Sequence, residues 1–424
     1  MRKIISGQSF LYRKNGYDST IIEVVMKDKV RGDYLQMALT TTLKRFPYMS
    51  DKLVEKKSEY YLCEDLNAMT VNKTNKLRTL GSMQTGYHLL DVTYIDKNIR
   101  VAFHHGLCDG RGIKPFIETL VYYYCILKYR KKFDSTGIHL AEENINKSEL
   151  IEPFGTEYYS VDESKVEVIN KDSFSLPENT EDASNTYRTI IKVDENEFMN
   201  VVKECNATPT ILTAILFSEA ILNHNDIDKP IMANIAIDLR RYLGVLETHK
   251  NCTGTLCLPY IEEYSKQDLK DICLMYRELI SKQREENFIK SNLNKQIGLF
   301  NKLNEIKSLE EKRKILSFFD NISNDTFVIS YLGKMQFNDF NEYVESTNMY
   351  SDGSRGIIIN MIASGNTLTF NILQNFEDSK YVDGFVKKLE KRNINYERNN
   401  VGLFSTGKDK SFITASRQAE RYYK

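Results

Sequence analysis

Residues 99–129 place a strand pattern, a glycine-rich turn and an apolar helix pattern in direct succession. Apolar residues alternate with other types from Ile99 to Phe103, which is the period of a half-buried strand. From 113 to 129 apolar side chains recur at helical spacing, namely Phe116, Ile117, Leu120, Val121 and Tyr124. Strands and helices alternate in this way in both halves of the chain. We therefore predict an α/β (α+β) fold with mixed sheets.

Other periodic segments extend this alternation. A helix is predicted over 33–46, with Asp33 as its N-cap and Pro47 after its end. A hairpin is predicted from strands at 87–95 and 99–104. Further strands are predicted at 187–193, 230–238, 326–330, 357–363 and 367–373. Further helices are predicted at 195–206, at the segment that begins with Thr208, and at 381–391. Ser265 and Asp268 resemble a capping box, which predicts a helix that starts there and continues past Ile280, and the charged stretch 281–314 is predicted to be more helix.

The chain has 424 residues, which is too long for one ordinary hydrophobic core. Between about 130 and 184 the periodic pattern gives way to charged residues, Ser, Asn and Pro177, which is typical of a solvated crossover. We place a domain boundary there. The predicted division is an N-terminal domain of residues 1–184, including the crossover linker, and a C-terminal domain of residues 185–424.

Charge and hydropathy exclude several classes of function. Lys plus Arg equals Asp plus Glu at 58 each, so the net charge is zero and gives no electrostatic attraction to nucleic acid or to an anionic membrane. No run approaches the eighteen or so apolar residues that a transmembrane segment needs. The basic N-terminus meets polar residues before an apolar signal region forms, so we expect a cytoplasmic protein.

Seven cysteines are scattered without disulfide-framework spacing, and none forms a Cys-x-x-Cys pair. We therefore expect reduced thiols and neither a zinc ribbon nor a redox pair.

The strongest chemical signal is the turn that follows the 99–104 strand. His104 and His105 end the strand, and Asp109 follows four residues after the second histidine. A neutral imidazole is a suitable general base, and a nearby carboxylate can brace the turn that carries it. Adjacent strand residues point to opposite faces, so one histidine is predicted to face a cavity and the other the interior.

Three other interpretations stay open at this point. The histidine pair could bind a metal, although opposite-facing side chains rarely chelate one ion and no third ligand has recognisable spacing. The pair and Asp109 could be purely structural turn residues. Cys108 could act as a nucleophile with a histidine.

The segment His104-His105-Gly106-Leu107-Cys108-Asp109-Gly110 resembles the HHxxxDG motif of the chloramphenicol-acetyltransferase-like superfamily. This group includes alcohol O-acyltransferases, polyketide-associated and wax-ester-type acyltransferases, plant BAHD enzymes and condensation domains of peptide synthetases. Three further segments are similar to family elements in the same order, namely 39–47, Ala236-Ile237-Asp238-Leu239-Arg240 and Ser330-Tyr331-Leu332-Gly333. The resemblance implies two similar domains, each a mixed sheet flanked by helices, with an active-site channel between them.

The resemblance also implies residue roles. His105 would be the general base, and His104 a supporting residue. Asp109 would orient the site through a salt bridge, for which Arg240 is the candidate partner. Gly110 would permit the tight turn. Acyl transfer would then be direct, without an acyl-enzyme, a metal or a permanently bound cofactor.

The sequence differs from the family's patterns at two places. The chain has no Trp, which places it outside the plant branch with its DFGWG element, and the family's Ser-Asn-Leu-Gly is Ser-Tyr-Leu-Gly here. The predicted function is transfer of an acyl group from acyl-CoA, as co-substrate, to the hydroxyl of an alcohol. The alternatives are a condensation enzyme that uses a thioester of an acyl or peptidyl carrier protein, an N-acyltransferase with an amine acceptor, or a catalytically silent binding protein.

Overall fold

The computed structural model describes residues 1–12, 19–65, 69–166, 172–178, 185–321, 325–354 and 356–403, whose strands form three β-sheets. The strands are β1 (Arg2–Lys3), β2 (Thr20–Met26), β3 (Lys52–Lys56), β4 (Glu59–Cys63), β5 (Asn72–Lys73), β6 (Leu90–Ile95), β7 (Asn98–Phe103), β8 (Tyr187–Asp194), β9 (Ile231–Asp238), β10 (Thr253–Tyr260), β11 (Phe327–Lys334), β12 (Val344–Ser351), β13 (Ile357–Ser364), β14 (Thr367–Gln374) and β15 (Tyr396–Leu403). The helices are α1 (Gln8–Leu11), α2 (Gly32–Arg45), α3 (Gly110–Tyr129), α4 (Glu195–Glu204), α5 (Pro209–Leu222), α6 (Arg240–Leu243), α7 (Leu269–Gln283), α8 (Glu286–Glu305), α9 (Leu309–Asn321) and α10 (Lys380–Glu390).

The five-stranded sheet carries the histidine turn. Its strand order is β12-β2-β7-β6-β5, so β7 lies in the centre and pairs antiparallel with β2 and β6. The predicted hairpin is present as β6 and β7, joined at Asp96 and Lys97. The apolar stripe of α3 packs with α2 and this sheet in one core. The turn after β7 therefore lies between a strand that is paired on both edges and a helix whose central part, residues 116–125, is mostly buried.

The seven-stranded sheet has the order β10-β9-β11-β13-β14-β8-β15. Ile357, Ile359 and Met361 of β13 face one side and join a core with α5 and α10. The alternate residues face the opposite side because successive side chains of a strand alternate. Both this sheet and the five-stranded sheet contain parallel and antiparallel pairs, which confirms the predicted mixed α/β class.

A strand from the second half of the chain completes the five-stranded sheet. β12 pairs antiparallel with β2, and Asn348 lies opposite Glu23. The hydroxyl of Tyr350 donates to Glu23 over 3.1 Å, and the guanidinium of Arg188 in β8 lies 3.6 Å from the Tyr350 ring centroid. These contacts join the two large sheets through a buried polar network. The division at residues 184 and 185 stays a prediction.

Several predicted element boundaries are wrong. α2 begins at Gly32 with Arg31 as its N-cap residue, so Asp33 lies inside the first turn, where its carboxylate binds Arg31. An acidic residue there still complements the helix dipole. Asp268 caps α7 by accepting from the backbone N–H of Lys270, and Ser265 takes no part in this cap. The residues predicted to be helical from there to 314 form parts of three helices, α7 to α9.

The predicted solvated crossover is in fact anchored to other elements at several points, and Glu149 is one of them. Glu149 accepts hydrogen bonds from both terminal nitrogens of Arg45, at 2.9 and 2.7 Å, and from the hydroxyl of Tyr48 at 2.7 Å. Its carbonyl accepts from the backbone N–H of His249 at 3.0 Å. The crossover is therefore an anchored strap between the two halves. Residues 179–184, which include the predicted boundary, lie outside the described residues.

Across the described part of the chain, no single helix has both the length and the apolar character of a membrane span. The pair α4 and α5, bent by 87°, meets these criteria only when its two helices are taken together.

Candidate active site

The histidine turn joins the end of β7 to the start of α3. His104 is fully buried, and its carbonyl accepts from the backbone N–H groups of Leu107 at 2.8 Å and Cys108 at 3.3 Å. Its ring Nδ1 accepts from the backbone N–H of Gly106 at 2.8 Å. A ring nitrogen that accepts from an N–H carries a lone pair and no proton. His104 therefore closes the turn with both its backbone and its side chain.

β7 ends at Phe103, one residue earlier than predicted, so both histidines lie in the turn and not in the strand; His105 is half-buried, whereas His104 is fully buried. Its ring stacks on Phe10 of α1, with centroids 4.4 Å apart and planes 29° apart, and meets Phe103 edge-on at 6.1 Å. The N-terminal segment packs tightly here, since a Cβ on Gly7 would lie 2.1 Å from the carbonyl oxygen of His105. Two aromatic rings thus fix the plane of the candidate base.

Asp109 is the N-cap of α3, and four N–H groups converge on its carboxylate. One oxygen accepts from the backbone of Gly112 at 2.8 Å and from Arg240 at 2.7 Å. The other accepts from the backbone of Cys252 at 2.9 Å and from Arg240 at 2.9 Å. The expected ion pair between Asp109 and Arg240 is therefore present and bidentate. It ties the histidine turn to the second half of the chain.

Arg240 is 1% exposed, and each of its five N–H groups has an acceptor. Besides Asp109, these acceptors are the carbonyls of Thr248 and Lys250 and the carboxylate of Asp238, each at 2.9 Å. Burial alone would lower the pKa of Arg240, but the adjacent Asp109 outweighs it and the pKa lies above its ordinary value. A buried guanidinium with every donor satisfied fixes geometry more than it adds stability.

Two glycines after Asp109 make room for the second half of the chain. A Cβ on Gly112 would lie 1.9 Å from the carbonyl oxygen of His249, and one on Gly110 would lie 2.9 Å from Leu332. Gly110 is the first residue of α3 and does not adopt a left-handed φ. Its lack of a side chain therefore serves close packing against β11.

Cys108 is fully buried, and burial raises the pKa of its thiol well above the ordinary value. This environment opposes formation of the thiolate that nucleophilic catalysis needs. Among the described residues, no group of three or more His, Cys, Asp and Glu side chains could hold a metal ion.

A half-exposed strip of the seven-stranded sheet leads away from the turn. Asn234, Val328 and Ile358 lie side by side across β9, β11 and β13, on the face opposite the helices. Ser330 follows on the same face of β11, and Leu332 at its end reaches Gly110. The strip is a partly buried surface of mixed apolar and polar side chains, and its Leu332 end contacts the histidine turn.

Sequence reasoning missed three contributors to the site. Phe10 and Gly7 contact His105 from almost a hundred residues away, and no local pattern marks such a contact. Glu149 could have been noticed in the sequence, because Asn146 and Glu149 have the spacing of a capping box, which predicts a helical turn there. Tyr331, which stands where the family has Asn, packs against the helix-side core.

Comparison of the sequence with protein-family models and with curated proteins gave no match. The fold matches solved structures over nearly its whole length. TRI101 from F. sporotrichioides, solved with coenzyme A and T-2, is 14% identical, covers 95% of this chain and 99% of its own, and has a TM-score of 0.58. Polyketide synthase associated protein 5 from Mycobacterium tuberculosis is 13% identical, with 92% and 97% covered and a TM-score of 0.56.

The first condensation domain of the CDA synthetase is 11% identical, with 92% and 95% covered and a TM-score of 0.57. Identities this low establish the fold alone. The chloramphenicol-acetyltransferase-like fold expected from the motif is therefore confirmed, and the matching structures include TRI3, a trichothecene 15-O-acetyltransferase, and this condensation domain.

Proposed function

We propose that the protein is an acyltransferase that moves an acyl group from acyl-CoA to the hydroxyl of an alcohol, with His105 as the general base. The observation that carries the proposal is the locked histidine turn. The ion pair of Asp109 and Arg240 fixes the end of the turn where α3 begins, and His105 is the more exposed of the two histidines. In this role Asp109, His104, Gly110 and Arg240 are positioning residues.

The reaction proceeds in two steps. His105 accepts the proton of the acceptor hydroxyl as the oxygen attacks the thioester carbonyl, which forms a tetrahedral oxyanion. Collapse of this intermediate breaks the carbon–sulfur bond, and the imidazolium returns its proton to the leaving CoA thiolate. The products are an ester and free CoA, and no acyl-enzyme forms. Phe10, stacked on the imidazole, and Phe103, which meets it edge-on, hold the ring in place through both proton transfers.

Free-thiol release tests this function. The purified protein is incubated with a panel of acyl-CoAs and alcohols, and the thiol is followed with a chromogenic reagent. We expect His105→Ala to lower kcat by about 10²–10⁴-fold, the range that general-base catalysis contributes. His224→Ala, at an exposed histidine in the second half of the chain, is the matched control and should keep the wild-type rate. Wild-type turnover in folded His105→Ala would refute the mechanism.

A second candidate keeps the same base and changes the substrates. The similarity to a condensation domain over 92% of this chain supports a carrier-protein thioester as donor and an amine as acceptor. Acyl-carrier proteins and amines therefore belong in the same substrate panel. If no donor in the panel releases thiol with the wild-type protein, a catalytically silent binding protein becomes the better interpretation.

A further inference from the structure

Lys312 lies on α9, in the second half of the chain, and its side chain is fully buried, which is rare for a lysine. Its ammonium donates to the carbonyl of Ser58 at 3.0 Å and to the hydroxyl of Tyr12 at 3.4 Å. Within the described ranges Lys312 forms no ion pair, and Glu59, whose charge also acts on it, is paired with Lys3. Burial of an ammonium without an ion pair is costly, so its contact with Tyr12 calls for an explanation.

Tyr12 is the C-cap residue of α1, and its backbone N–H donates to the carbonyl of Gln8 at 3.1 Å. α1 has only four residues, and its first turn has no side-chain cap hydrogen bond. A helix this short is not stable by itself and depends on contacts with other elements. The Tyr12 ring supplies such contacts, because its centroid lies 4.7 Å from the Lys312 ammonium and 5.5 Å from the ring centroid of Tyr60 in β4. The C-terminal end of α1 is therefore held by α9 and by β4.

α1 lies against the histidine turn. The ring of Phe10 stacks on that of His105, with centroids 4.4 Å apart. Leu11 packs against the next residue of the turn, since a Cβ on Gly106 would lie 3.1 Å from the Leu11 Cδ1. Phe10 and Tyr12 are two residues apart at the end of this short helix, so a displacement of Tyr12 also moves the ring that supports the imidazole.

We propose that Lys312 is a positioning residue for His105. It acts through Tyr12 and α1, which place the Phe10 ring against the imidazole. The inference rests on the proposed function, since it assigns Lys312 a role in holding the general base. Arg240 fixes the α3 end of the turn, and Lys312 fixes the segment that packs on the imidazole. Both come from the second half of the chain, so the base is placed correctly only when the two halves have folded together.

Lys312→Met tests this role, because it removes the charge and keeps a long, flexible side chain. We expect kcat to fall about tenfold with KM unchanged, because a small displacement of a catalytic group slows the reaction without weakening substrate binding. The urea midpoint should stay near that of the wild type, since loss of a buried charge offsets the lost hydrogen bonds. Lys314→Met removes an exposed ammonium from the same helix and is the matched control, which should keep the wild-type kcat. If Lys312→Met folds poorly, Lys312→Gln keeps a donor for the Ser58 carbonyl and is measured in its place.

A double-mutant cycle with Phe10→Leu tests whether the effect passes through the stacked ring. Phe10→Leu alone should lower kcat by a similar factor. Lys312→Met should then cause little further loss in the Phe10→Leu background, because the link to His105 is already broken. Losses that multiply would show that Lys312 acts independently of Phe10 and would overturn the inference.

Reaction of His105 with diethyl pyrocarbonate, followed by peptide mass spectrometry, gives a readout that does not depend on turnover. We expect Lys312→Met to raise the rate of His105 modification severalfold relative to that of the exposed His224, because the Phe10 ring no longer stays on the imidazole. Lys314→Met should leave this ratio unchanged. An unchanged ratio in Lys312→Met would overturn the inference even if the wild type transfers acyl groups. A raised ratio in a protein whose wild type transfers no acyl group would instead overturn the proposed function alone.

Discussion

Replacement of Asp109 by Asn probes how the histidine turn is held, because the change keeps the size of the side chain. Each carboxylate oxygen accepts two N–H groups, one from backbone and one from Arg240. In either orientation the amide NH₂ of Asn would face two of these donors. The change therefore removes two hydrogen bonds and leaves the buried Arg240 with Asp238 as its only carboxylate partner.

Loss of one partner from a buried ion pair costs about 3–5 kcal/mol. Asp238 stays 2.9 Å from Arg240, so we expect the low end of this range, about 3 kcal/mol of unfolding free energy. Urea titration followed by circular dichroism measures this difference. We also expect kcat to fall at least tenfold, because the turn that carries His105 is no longer fixed.

Asp162→Asn is the matched control, because Asp162 also caps a helical turn and pairs with Lys165, but at the surface. Because this pair is solvent-exposed, the urea midpoint should stay close to that of the wild type. An Asp109→Asn protein with wild-type stability and rate would show that the ion pair neither holds the fold nor orients the base.

Two further outcomes are expected. Gly7→Ala should lower kcat several-fold and destabilise the protein, because the new Cβ would collide with the carbonyl of His105. Gly155→Ala is the control: the nearest atom to its Cβ would be 3.9 Å away, so neither the rate nor the urea midpoint should change. Burial raises the pKa of Glu118 to about 7, although the backbone N–H of Gln336 donates to it. The folded state therefore holds this proton when the unfolded state has lost it, so stability should fall as pH rises from about 4.5 to 7, by on the order of 2–3 kcal/mol. Glu118→Gln should remove this slope from urea midpoints measured across that range, and an unchanged slope would place the titration elsewhere.

The regular elements could be predicted from sequence because their signals are local. The alternation before His104 and the apolar stripe of α3 each need only a short window of residues. The motif resemblance then supplied Arg240 as the partner of Asp109, which spacing alone could not have done, since the two lie 131 positions apart.

Elements that are stabilised by contacts between residues far apart in the sequence were not predicted. β12 reads Val-Glu-Ser-Thr-Asn-Met-Tyr-Ser, and its buried polar residues break the alternation that marks a strand. Three of these side chains meet polar partners on other strands: Thr347 contacts Ser364, Asn348 contacts Asn371 and Tyr350 contacts Glu23.

The pairing of β12 with β2 constrains how this chain can be made. Glu23 is synthesised long before its partner Asn348. During synthesis, one edge of β2 therefore stays unpaired until most of the chain has left the ribosome. Unpaired edges recruit other strands, and pairings so distant in sequence form slowly. A fragment that stops near residue 184 would carry the complete histidine turn and still expose this edge. Expression of the catalytic motif on its own is therefore a route to aggregation, and circular permutants that bring β12 next to β2 should fold faster than the natural order.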